Sequence, residues 1–162
     1  MAGGVEVRVT GANQLKSLAR DLKEAGGPAR GLRRELLAAM RLAGKPMVEA
    51  AKTSARLNLP RAGGLNVWVA DGAKIAVRNR VAATNTVGMR IVATEGGARL
   101  EDMDNGKVRH PTFGRRGKGE WFDEDIRPGW FTKPLNEHAP QVQADVIFAM
   151  NIIGRRIEKG IF

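Results

Sequence analysis

The run Arg127-Pro128-Gly129-Trp130-Phe131-Thr132-Lys133-Pro134-Leu135 constrains this chain more than any other stretch. Arg-Pro-Gly is a turn signal, because Pro128 presets its own φ and Gly129 admits a positive one. Trp130 and Phe131 then place two aromatic side chains side by side. Thr132 is positioned to cap a helix whose first turn takes Pro134, where a missing N–H costs nothing. Beyond it, Leu135, Ala139, Val142, Val146, Met150, Ile153 and Ile157 recur every three or four residues, which is one face of a helix. A turn therefore fixes two aromatic rings at the mouth of a long amphipathic helix. Pro128, Gly129, Trp130, Phe131, Pro134 and Leu135 form a structural junction, and the rest of the chain supplies the surface on which that helix packs.

Upstream, Val5–Val9 alternates apolar and charged residues and reads as a half-buried strand. Asn13 can cap a short helix marked by Leu15, Leu18 and Leu22 and stopped by Gly26-Gly27. A long helix follows over residues 29–57, with Leu32, Leu36, Met40, Ala43, Met47, Ala50 and Ser54 on one face and Arg33, Arg34, Arg41, Glu49 and Lys52 on the other. Pro46 predicts a bend rather than a break, since the apolar face stays in phase across it. Leu65, Val67 and Val69 alternate with Asn66, Trp68 and Ala70, which predicts a strand, with Asp71-Gly72 as a tight turn into residues 74–78. Val87, Met89, Ile91 and Ala93 predict a further strand. From about 96 to 129 the chain is rich in glycine and charge and reads as a long flexible loop, with a short strand near Val108–Phe113.

These elements define an α+β fold in one domain, residues 1–162. A largely antiparallel sheet packs against a long bent helix and a C-terminal helix, and a long loop projects from one end. A chain of 162 residues with 43% hydrophobic content can bury a sizeable core. With Cys 0, disulfides, thiolate metal sites and cysteine nucleophiles are excluded. No apolar run is long enough to span a bilayer, and Met1-Ala2-Gly3-Gly4 does not open a secretion signal. The expectation is a chain made and used inside a cell, or in a particle assembled there, without a membrane partner.

The net charge of +10 admits an acidic partner, either nucleic acid or protein. Arg and Lys are spread along the whole chain, with one dense run. In the long loop, basic residues come first (Lys107, Arg109, Arg115, Arg116 and Lys118) and acidic ones follow (Glu120, Asp123, Glu124 and Asp125). Two readings of this order stand. The loop is a subunit contact whose arginines meet carboxylates, or it is a basic arm that holds nucleic-acid phosphates without reading bases. Gly114-Arg115-Arg116-Gly117-Lys118-Gly119 lacks the spacing and the Ser or Thr of a nucleotide phosphate loop. His110 and His138 are the only histidines, too few donors for a metal site or a triad. The acidic run Glu120–Asp125 reads as an acidic surface rather than a general acid–base pair. No catalytic, cofactor-binding or metal-binding constellation emerges, and a non-enzymatic role without cofactors is expected.

The Pro128–Leu135 junction also carries a resemblance. A proline–aromatic run closing on Pro134-Leu135 at the head of a C-terminal helix resembles the closing motif of siphophage neck proteins, which join head to tail or complete and terminate the tail. Three further segments match in order. They are the Ala-rich helix through Lys45-Pro46-Met47-Val48-Glu49-Ala50-Ala51-Lys52, its exit through Leu59-Pro60-Arg61-Ala62-Gly63-Gly64-Leu65, and His110-Pro111-Thr112-Phe113-Gly114 before a variable loop. Ala62 stands where the family carries threonine. The resemblance implies a structural virion protein at the neck or tail, assembled in the cytoplasm of a bacterial host. Its implied partners are other copies of itself in a ring, six-fold in the leading arrangement, with neighbouring head-connector and tail-tube proteins and DNA passing through the channel. A ring needs two unlike complementary surfaces on each subunit. The alternative function is that of a sequence-independent DNA-binding protein using the basic arm.

Overall fold

The computed structural model describes residues 5–9, 18, 20–22, 24, 26–27, 30–82, 86–94, 99–111 and 121–161. In chain order the elements are β1 (Val5–Val9), α1 (Arg30–Asn58), a 3-10 turn (Ala62–Gly64), α2 (Leu65–Gly72), β2 (Lys74–Ala82), β3 (Thr86–Thr94), α3 (Leu100–Asp104), β4 (Lys107–Pro111), β5 (Trp121–Asp125) and α4 (Thr132–Glu158). The class is α+β. The strands are all antiparallel, but they divide into a three-stranded sheet in the order β1-β3-β2 and a separate β4–β5 pair.

The core forms where α1 and α4 pack on each other and α1 on β2. Leu32, Leu36, Met40 and Met47 supply the inner face of α1, and Leu135, Val142, Val146, Met150 and Ile153 that of α4. Helical periodicity predicted both faces, apart from a half-step at the end of α1, where Ala51 rather than Ala50 is buried. Pro46 lies inside α1, and the buried face continues on both sides of it. On β2, Ile75, Val77 and Asn79 turn toward the core while Lys74, Ala76 and Arg78 are exposed, and Ile75 and Val77 stand opposite the buried Ala93 and Ile91 of β3. Leu18 and Leu22 reach the same core from a helical segment ahead of α1. Arg156 of α4 donates to Glu35 at 2.6 Å, which ties the end of α4 to the start of α1.

Residues 65–72 form a helix, not the expected strand. Asn66, Val69 and Ala70 are buried at i, i+3 and i+4, whereas Val67 and Trp68 point outward, 53% and 45% exposed. A short apolar run fits both periods, and here the end of α1 decides between them. Gly63 and Gly64 adopt left-handed conformations. Asn66 then donates its backbone N–H to Pro60 and its side-chain amide to the Arg56 carbonyl. The Asn66 side chain thus satisfies a carbonyl left open at the C-terminus of α1. Asp71 pairs with Arg56 at 2.5 Å instead of opening a hairpin. Residues 83–85, between β2 and β3, lie outside the described residues, and β2 extends to Ala82.

The stretch expected to be loop, about 96–129, carries three regular elements: α3, β4 and β5. Residues 95–98 and 112–120 lie outside the described residues. Of the glycines that suggested a structureless excursion, the two described ones, Gly106 and Gly129, take positive φ at the joints between short elements.

Candidate interaction surfaces

The junction is built from two distant segments. Trp130, Phe131 and Leu135 are fully buried, and the two rings lie 5.4 Å apart at 57°. Gly129 takes the left-handed conformation expected of it. Thr132 does not cap α4. The capping position is Phe131, whose own side chain makes no cap bond. The acceptor comes instead from Asp104, whose Oδ1 accepts the N–H groups of Phe131 at 2.7 Å and Thr132 at 3.1 Å. A carboxylate at this end answers both the open N–H groups and the positive end of the helix dipole. Asp104 is itself buried, and its main-chain carbonyl accepts from Gly129 at 2.7 Å.

Gly106, two residues on, makes this close approach possible. Its φ is +92, and a Cβ there would meet the Ile126 carbonyl oxygen at 3.0 Å and Pro128 Cβ at 3.2 Å. The Gly106 carbonyl accepts from Ile126 at 2.8 Å. The α3–β4 turn and the segment entering α4 are therefore laced together on both edges. Nothing in the local sequence of Asp104 marks it as a cap, because the helix it serves begins 28 residues later.

The β4–β5 register explains part of the segregated charge. Lys107 stands opposite Asp125, and Arg109 opposite Asp123, with the last two forming an exposed ion pair at 3.9 Å. For these four residues, basic-then-acidic order is what a hairpin with complementary arms requires. Glu124 lies on β5 opposite the buried Val108. Arg115, Arg116, Lys118 and Glu120 lie outside the described residues, as do the side chains of His110, Trp121 and Phe122. His138 donates from Nδ1 to the Pro134 carbonyl at 2.9 Å, within the first turns of α4. Among the described residues no group of three or more His, Asp or Glu side chains is placed to hold a metal ion, and no helix is long and apolar enough to cross a membrane.

The exposed apolar side chains include two sets: Leu57 at the end of α1 with Val67 and Trp68 on α2, and Phe148 and Ile152, one turn apart on α4. Sequence patterning missed the first, since the strand expected over residues 65–70 would have buried Val67. The basic residues of α1 are also less scattered than the whole-chain composition suggested. Arg30, Arg34, Arg41, Lys45, Lys52 and Arg56 follow one another at intervals of four and seven residues. That spacing keeps them on one side of a helix and was readable in the sequence.

The fold and these surfaces define an α+β domain built around two long helices, α1 and α4. Comparison with family models, with curated proteins and with solved structures returned no match.

Proposed function

We propose that this chain is a structural component of the neck of a tailed bacteriophage, a ring subunit that joins the head connector to the tail or completes the tail tube, with no catalytic role. The observation that carries the reading is the junction. The Pro128–Leu135 run that resembles the closing motif of neck proteins is the point at which α4 is fastened to the domain, through Asp104, Gly106 and two buried rings. The exposed apolar side chains on α1–α2 and on α4 support a ring, because a closed head-to-tail assembly needs two unlike surfaces on each subunit. In this reading copies of the chain meet each other and the adjacent connector and tail-tube proteins, and Arg115 and Arg116 face a neighbouring subunit.

Deletion of the gene in a producing phage tests this directly. The expected result is filled capsids and tails that fail to join, or tails that remain incomplete, seen by particle imaging. Normal infectious particles without the protein would overturn the assignment. Replacing Arg115 and Arg116 by alanine is expected to weaken subunit association more than nucleic-acid binding.

A further inference from the structure

We infer that the solvent side of α1 is a binding surface for the phosphate backbone of a nucleic acid. The inference stands on α1 alone and does not depend on the neck assignment. The helix carries three basic pairs, Arg30/Arg34, Arg41/Lys45 and Lys52/Arg56, each repeating the last after eleven residues. With 3.6 residues per turn, the six side chains fall within about 80° of the helix surface and extend over ~39 Å. Five of the six are exposed and Lys52 is half-buried. Lys52 pairs with Glu49 and Arg56 with Asp71, both at the C-terminal end. Arg30, Arg34, Arg41 and Lys45 form no ion pair with any described residue. Glu35, beside Arg34, is taken up by Arg156 of α4, and Glu49, one turn after Lys45, pairs with Lys52.

A row of like charges held on a rigid helix raises the local potential and is relieved by a polyanion of matching extent. A repeating partner fits a repeating stripe. Duplex DNA presents one charge per ~1.7 Å of axis, so ~39 Å of helix spans many phosphates in any register. Four of the six residues are arginines, whose planar fork suits phosphate oxygens. A membrane surface fits less well, because an interfacial helix buries its apolar face in lipid, whereas Leu32, Leu36, Met40 and Met47 are already buried in the core. An acidic protein would have to place carboxylates at an eleven-residue repeat. With no described element set to enter a groove, the contact would position the chain on nucleic acid without reading sequence.

The test uses the purified full chain and a labelled random-sequence duplex of about 25 base pairs, followed by fluorescence anisotropy over a salt series from about 50 to 300 mM, the range in which phosphate contacts show themselves. Binding is expected to be indifferent to sequence and steeply salt-dependent. The combined variant Arg30→Gln, Arg34→Gln, Arg41→Gln, Lys45→Gln is expected to lose at least about tenfold in affinity at the low end, with the salt slope reduced by about 3 to 4. Glutamine keeps helix propensity, and circular dichroism verifies the fold. As a gain-of-function check, Glu49→Gln is expected to tighten binding by freeing Lys52. No binding at about 50 mM salt, or equal binding by the quadruple variant, overturns the inference. So does loss of binding in the Arg115→Ala, Arg116→Ala variant alone, or binding to phosphatidylserine vesicles without binding to the duplex. None of these outcomes bears on particle assembly, which the gene deletion tests separately.

Discussion

The Asp104 carboxylate accepts the backbone N–H of Phe131 at 2.7 Å, so a five-residue helix ends in the residue that starts a 27-residue one. The cap is supplied across the fold rather than by the adjoining Thr132. Three consequences of this arrangement and one of the hairpin can be measured.

Asp104→Ala leaves two N–H groups at the head of α4 without their acceptor. A loss of ~1–3 kcal/mol is expected in urea unfolding. Asp104→Asn keeps an acceptor oxygen and should cost less. Thr132→Ala should change little, since Thr132 lies within α4 and the capping position is Phe131. Equal losses for Asp104→Ala and Thr132→Ala would contradict the assignment of the cap.

Gly106→Ala and Gly154→Ala should move stability in opposite directions. At Gly106 the backbone is left-handed and the new Cβ is held against the Ile126 carbonyl and Pro128, so a loss of ~1–3 kcal/mol is expected. Gly154 lies within α4 with open space around its Cβ position, and alanine there should gain ~0.5–1 kcal/mol. Denaturant midpoints of the two variants decide the matter.

Trp130 and Trp68 should separate cleanly in quenching experiments. Single-tryptophan variants are expected to show Trp130 shielded from iodide and Trp68 readily quenched, as their exposures of 0% and 45% require. Trp130→Ala should cost ~3–5 kcal/mol, while Trp68→Ala should leave stability within ~0.5 kcal/mol. Quenchable Trp130 in the folded chain would be incompatible with the packing at the head of α4.

Asp123→Lys places a second positive charge opposite Arg109 in the β4–β5 register. The cost should be small, ~0.2–1 kcal/mol, because both positions are exposed. Hydrogen exchange locates it: β4 and β5 amides should exchange faster, while those of Ile126 and Gly129, bonded to Gly106 and Asp104, stay protected. Fast exchange at Ile126 and Gly129 in the unmodified chain would mean that this segment is not fastened as described.

Local sequence determined a good deal. The apolar spacing of α1 and α4 placed their buried faces, and the Pro-Gly turn placed Trp130 and Phe131 inside, because amphipathic periodicity and turn chemistry act over a few residues. The α+β class followed from the same patterns. Tertiary structure decided what those patterns left ambiguous or silent. Residues 65–72 fit two periods and became helix because the end of α1 offered Asn66 a carbonyl and Val69 and Ala70 a core. The charge order from Lys107 to Asp125 acquired a partner for each of four residues only through strand pairing. Asp104 carries no local sign of its role. A cap is a geometric relation between a carboxylate and open N–H groups, and here they belong to segments that meet only once the chain has folded.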